Sequence, residues 1–233
     1  MTALDEMQSN MLVAFHSALS CIYLPIILSA LYFTDFLYRV GTTSFLPVVG
    51  VLAAMECVKR GVGNRCLVRD VVLGAKGDDR QPRKGRSRSR ELLRSCGVLL
   101  AALASFFVLA VLLGAEAFSR HEETFMLSLL LCVLAVFPVC LNAGPRAVPG
   151  ALRGARPLPG VLGELLLRNL QCTLLGAWLG AAVIPLDWDR PWQQWPVPCC
   201  LGALLGHTAS NLLVLAAMVP EIARAGHSSK RAR

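Results

Sequence analysis

Charge is what this sequence has least of. Only 16% of its 233 residues are charged, against about a quarter in a soluble globular domain. Aromatic residues are also few, at 7%. The chain has no long acidic run, and its single long hydrophilic stretch is basic. No CxxC and no Cys/His cluster with zinc spacing occurs among its nine cysteines, which removes the zinc-ribbon and thioredoxin-like classes. Catalytic signatures are missing too: there is no HExxH and no GxSxG. The Asp-rich signature of CDP-alcohol phosphotransferases is likewise missing, as is the lipid-phosphatase set that joins Lys/Arg-Pro and Arg-His motifs to a Ser-Gly-His, since no Ser-Gly-His occurs.

What is present in abundance is apolar sequence. Hydrophobic residues make up 55% of the chain and mean hydropathy is +0.56. They lie in long runs, so the solvent of this protein is lipid. A bilayer core asks for about 20 apolar residues per helix. Six runs answer: Met11 to Phe33, Thr43 to Val58, Gly97 to Phe118, Thr124 to Asn142, Leu165 to Leu186, and Val197 to Val219. The second is short, contains Pro47 and ends at Glu56. The first is too long for the h-region of a signal peptide, and its flank carries Asp5 and Glu6 but no Lys or Arg. Cys21, Cys132, Cys140 and Cys172 lie inside these runs and read as small embedded thiols rather than a disulfide framework.

Basic residues orient the runs. Lys59 to Arg94 holds 12 Lys/Arg, the loop with Arg146, Arg153, Arg156 and Arg168 adds four, and the tail adds Arg224, Lys230, Arg231 and Arg233. With six spans these fall on one side, 20 in all, leaving three (Arg39, Arg120 and Arg190) on the other. Positive residues favour the cytosol. The expectation is therefore an all-α polytopic membrane protein, residues 1–233 forming one domain of six transmembrane helices with both termini cytosolic. The opposite face carries Asp35, Glu122, Glu123, Asp187 and Asp189 and is lumenal or extracellular.

The stretch 59–94 is expected to be a disordered cytosolic loop, since its centre, Gly77 to Arg90, lacks apolar residues and repels itself. Its Arg-Ser run reads as a surface beside anionic headgroups in preference to a nucleic-acid contact. The tail ends Lys230-Arg231-Ala232-Arg233, similar to dibasic endoplasmic-reticulum retrieval signals.

The last two runs carry the densest pattern. Gly176 and Gly180 form one G-x-x-x-G, and Gly202 and Gly206 another. Glycines four apart make a flat strip along which two backbones approach closely. The strips lie at similar depth and face either each other or the helices of a partner. Between them, residues 187–196 form a short lumenal loop with Asp187, Trp188, Asp189, Arg190, Pro191, Trp192 and Trp195. Indole rings favour the headgroup layer, which accounts for the tryptophans but not for the charges among them. Either aspartate can pair with Arg190. Asp-x-Asp alone lacks the further ligands a metal needs, so no metal and no cofactor is expected. Of the histidines, His16 and His207 fall within spans. His207 has Asn211 one turn away, a spacing suited to interhelical hydrogen bonding.

The run Gly176-Ala-Trp178-Leu-Gly180-Ala-Ala-Val-Ile-Pro-Leu-Asp187-Trp188-Asp189-Arg190-Pro191-Trp192-Gln-Gln-Trp195-Pro196 closely resembles the signature of the PIG-F family of glycosylphosphatidylinositol (GPI) anchor biosynthesis. The resemblance covers about 20 residues and continues loosely through Gly202 and Gly206. It implies a non-catalytic, multi-pass subunit of the endoplasmic-reticulum membrane. The implied partners are the large ethanolamine-phosphate transferases that act on the third and second mannoses of GPI. Independently, no lumenal loop here is long enough for a metal-dependent catalytic domain. The alternative reading is a small lipid carrier or transporter with a polar path near His16, His207 and Asn211. The scaffold reading expects a sealed bundle; the carrier reading expects a polar cavity between the helices.

Overall fold

The structure is a computed structural model and describes residues 3–74, 86–116, 119–186, 188 and 190–231. Every regular element among them is helical. The α-helices are α1 (Ala3–Phe33), α2 (Leu46–Gly74), α3 (Arg86–Leu112), α4 (His121–Leu131), α5 (Phe137–Ala143), α6 (Val148–Leu152), α7 (Val161–Ala181) and α8 (Val197–Arg231). A π-turn, Cys132–Val136, joins α4 to α5, making one continuous rod. Its cause is local: Pro138 has no N–H to return to the carbonyl four residues earlier, and a widened turn absorbs the mismatch.

Four segments are long and apolar enough to cross a membrane: Ser9–Phe33, Ser89–Leu112, His121–Ala143 and Val197–Met218. The second and fifth runs of the sequence do form helices, α2 and α7, but they miss that standard of apolarity. The reason lies in their polar residues, some of which face inward while Glu164, Arg168 and Gln171 of α7 do not. α2 carries Glu56 and Lys59 into the bundle, and α7 carries Asn169 and Thr173. Pro47 does no harm in α2, because it occupies the first turn, where an N–H has no helical partner.

The basic stretch from Lys59 departs from the expected loop. α2 runs on to Gly74 and α3 begins at Arg86. No proline occurs between Lys59 and Pro82, so nothing forbids the backbone from staying helical. The stretch's centre, 75–85, lies outside the described residues.

The α4–α5 rod is the centre of the bundle. Its Met126, Leu130, Leu134, Val136 and Val139 are fully buried, and α2, α3 and α7 pack around it. Its membrane window is 67% buried, whereas that of α3 is only 11% buried, which puts α3 at the lipid-facing edge. The most extensive contact in the molecule is α7 on α8, followed by α1 on α8.

Candidate functional site

The glycine strips meet. A Cβ added at Gly176 would run into the backbone carbonyl of Gly202, and one at Gly202 into that of Gly176. At Gly180 it would strike the Pro198 carbonyl, and at Gly206 the Cys172 carbonyl. No side chain separates the two backbones along this seam, so α7 and α8 close into an antiparallel hairpin by direct contact. The seam is internal. Gly176, Gly180, Gly202 and Gly206 all face backbone across it.

The outer face of the hairpin is different. Trp178 is 61% exposed, and Leu175, Leu179, Leu205, Leu212 and Leu213 stand beside or beyond it in the open. Trp178 shares α7 with the seam glycines but points away from them, into a cleft between α7 and α3.

The turn between the helices is built around Gln193, which the sequence reading passed over. It is buried. Its Nε2 donates to the carbonyls of Val183 (3.0 Å) and Leu186 (2.7 Å), while its Oε1 accepts from the Arg190 N–H at 3.0 Å. One amide therefore joins three backbone groups of the turn that follows α7, two carbonyls and one N–H. A glutamine inside a tryptophan-rich loop was its only signal.

Around this clamp the tryptophans divide. Trp188 and Trp192 lean on each other with ring centroids 5.8 Å apart; the first is exposed, and the second packs partly on the core. Trp195 turns inward and its Nε1 donates to Thr124 Oγ1 on α4 at 3.2 Å, pinning the loop to the central rod. Pro191 opens a single 3₁₀ turn, Pro191–Gln193. Arg190 is exposed. Asp187 and Asp189, and with them the expected pairing to Arg190, lie outside the described residues. Among the described residues no three His, Cys, Asp or Glu side chains gather as a metal site would require.

Behind the hairpin runs a buried polar seam. His207 Nδ1 lies 3.1 Å from Thr173 Oγ1, which donates to the Asn169 carbonyl at 2.6 Å. Asn211 Nδ2 bridges Asn169 Oδ1 (3.3 Å) and the His207 carbonyl (2.8 Å). These bonds tie α7 to α8, as the spacing of His207 and Asn211 suggested. His16 belongs to a neighbouring group on α1, where Gly63 of α2 passes close to its Nε2. Below it, Lys59 Nζ sits 2.5 Å from Glu56 Oε1 and donates to Ser20 Oγ at 2.9 Å. Tyr23 OH donates to the same Glu56 oxygen at 3.0 Å. Glu56, where the second apolar run ends, is 4% exposed and bound inside the protein. The two clefts found near the hairpin are lined by residues other than His16, His207 and Asn211.

The chain is similar in sequence to known proteins. The family model described as "GPI biosynthesis protein family Pig-F" matches residues 6–215. Over 125 residues the chain is 39% identical to "Glycosylphosphatidylinositol anchor biosynthesis protein 11" of Yarrowia lipolytica, covering 51% of this chain and 54% of the relative. It is 36% identical over 125 residues to the Homo sapiens protein named "GPI ethanolamine phosphate transferase, stabilizing subunit", covering 52% and 56%. The Neurospora crassa protein that shares the Yarrowia name is 32% identical over 203 residues, covering 82% of this chain and 71% of the relative. The matched region thus spans just over half the length of the first two relatives. No solved structure matches the chain.

Proposed function

Because the chain belongs to the Pig-F family of GPI biosynthesis proteins, we propose that it is a non-catalytic subunit that stabilises GPI ethanolamine phosphate transferases. The observation that carries the reading is the family match across most of the chain, joined to relatives named as the stabilising subunit of such a transferase. The architecture supports it. The hairpin is closed on its inner side by backbone contact and open on its outer side through Trp178 and a leucine face. Such a shape lends a rigid surface to a larger membrane neighbour.

The finer reading is a protein of the endoplasmic-reticulum membrane that pairs with the transferases acting on the third and second mannoses, one partner at a time. The chain crosses the bilayer six times with its ends in the cytosol and the tryptophan loop in the lumen. The charge asymmetry of the loops supports this orientation. So does the burial of Glu56 and Lys59 on α2 and of Asn169 and Thr173 on α7, which keeps these four away from lipid. A glycan acceptor inserted beside Gln194 is modified if this orientation holds, and unmodified if the loop is cytosolic.

Affinity purification of the full chain from its own membranes tests the functional reading. The expected result is recovery of a large ethanolamine phosphate transferase at near-equal amounts. Recovery of the chain without any such transferase overturns it.

A further inference from the structure

Two clefts of opposite character adjoin at the loop end of the bundle. The first, of about 780 Å³, lies between α3 and α7 over the central rod. Its walls are apolar, with Phe106, Leu109 and Ala110 on one side and Leu174, Ala177 and Trp178 on the other. The second, of about 450 Å³, is polar, and Tyr38, Thr42, Ser119 and Glu123 line it. Glu116, Arg120, Gln194 and Trp195 belong to both, so the apolar cleft opens into the polar one across a shared lip.

The lip carries both signs of charge. Ser119 Oγ donates to Glu116 Oε2, and Glu116 and Arg120 are exposed while Glu123 is half-buried. Among the described residues the Arg120 guanidinium has no carboxylate within ion-pair distance. It stands with Glu116 and Glu123 around the mouth of the apolar cleft. A guanidinium recognises phosphate. Two carboxylates accept N–H bonds from a protonated amine. A transmembrane helix of a partner matches the apolar cleft but not its continuation into a chamber bearing both charges.

We propose that this paired cleft binds one bilayer glycerophospholipid with a zwitterionic, amine-bearing headgroup. An acyl chain lies between α3 and α7, the phosphate faces Arg120, and the ammonium faces Glu116 and Glu123. The volume falls within the range of natural ligand pockets, roughly 300–1,000 Å³. The proposal rests on the bundle spanning a bilayer and not on the transferase reading, whose co-purification readout is separate.

Native mass spectrometry of the full chain in detergent tests it, with dioleoylphosphatidylethanolamine, dioleoylphosphatidylglycerol and dioleoylglycerol offered at equal concentration. The expected result is a one-to-one adduct of the zwitterionic lipid, favoured at least about tenfold over the other two, as loss of a charge-assisted bond implies. Arg120→Ala, an exposed position that leaves folding intact, lowers the adduct by a similar factor. Ala110→Trp, which fills the cleft, abolishes it, and Arg146→Ala at the opposite end of the bundle leaves it unchanged. Equal adducts of all three lipids, or adducts indifferent to Arg120→Ala and Ala110→Trp, overturn the proposal. So does a cysteine placed at Leu109 that the transferase shields from a thiol reagent and added lipid does not, since the groove is then a protein interface.

Discussion

Four glycines set the distance between α7 and α8, and each faces a backbone carbonyl at a range that excludes a Cβ. In lipid there is no hydrophobic force to press helices together, so this close fit and a few hydrogen bonds do the work. Gly180→Leu should therefore part the hairpin at the loop end. A cost of about 1–3 kcal/mol is expected for overpacking, measured as a lower midpoint of thermal unfolding in detergent. An unchanged midpoint would mean the seam yields without loss. Glu56 and Lys59 pose the opposite case, a pair that is costly to break. With both side chains buried and Ser20 and Tyr23 completing their hydrogen bonds, Lys59→Met leaves a carboxylate without its partner. The expected cost is about 3–5 kcal/mol. Lys59→Met combined with Glu56→Leu should recover much of it, because the double change removes both charges. The same thermal assay checks this, and a double variant worse than Lys59→Met alone would contradict it.

At the scale of elements, the sequence makes some features plain and hides others. Long apolar runs mark α1, α3, the α4–α5 rod and α8, because lipid at the rim and the protein core at the centre both take apolar side chains. α2 and α7 are fainter because charged and amide side chains interrupt them, Glu56, Lys59 and Arg60 in the first and Glu164, Arg168, Asn169 and Gln171 in the second. The meaning of Glu56 and Lys59 depends on Tyr23 and Ser20, more than 30 residues away in sequence, and no local pattern reveals that. The glycine repeats are legible as a close-packing strip, yet their spacing does not say whether the strip is shared within the chain or with a partner; the structure pairs them within the chain. Gln193 was barely legible, marked only as a glutamine within a tryptophan-rich loop. Its importance comes from three backbone groups that converge on it only once α7 has ended. The basic segment was expected to be unstructured from its charge, but like charges oppose compaction more than they oppose a helix that keeps them apart. α2 therefore extends to Gly74.

At the scale of the whole molecule, a central rod carries the core, a hairpin closes on itself, and α3 stays at the rim. The chemistry-bearing side chains are mostly spent on holding helices to one another: Asn169, Thr173, His207 and Asn211 across α7 and α8, and Glu56, Lys59, Ser20 and Tyr23 across α1 and α2. What remains on the outside is an apolar hairpin face and a tryptophan loop pinned to α4. On the proposed reading a body of that kind acts through contact, and its effect is measured on its neighbour. The most direct measurement is the steady-state amount of the ethanolamine phosphate transferase in cells that lack this chain, with and without its re-expression. The account predicts that the transferase falls severalfold and returns with the wild-type chain. Transferase levels and GPI modification that stay the same without the chain would contradict it.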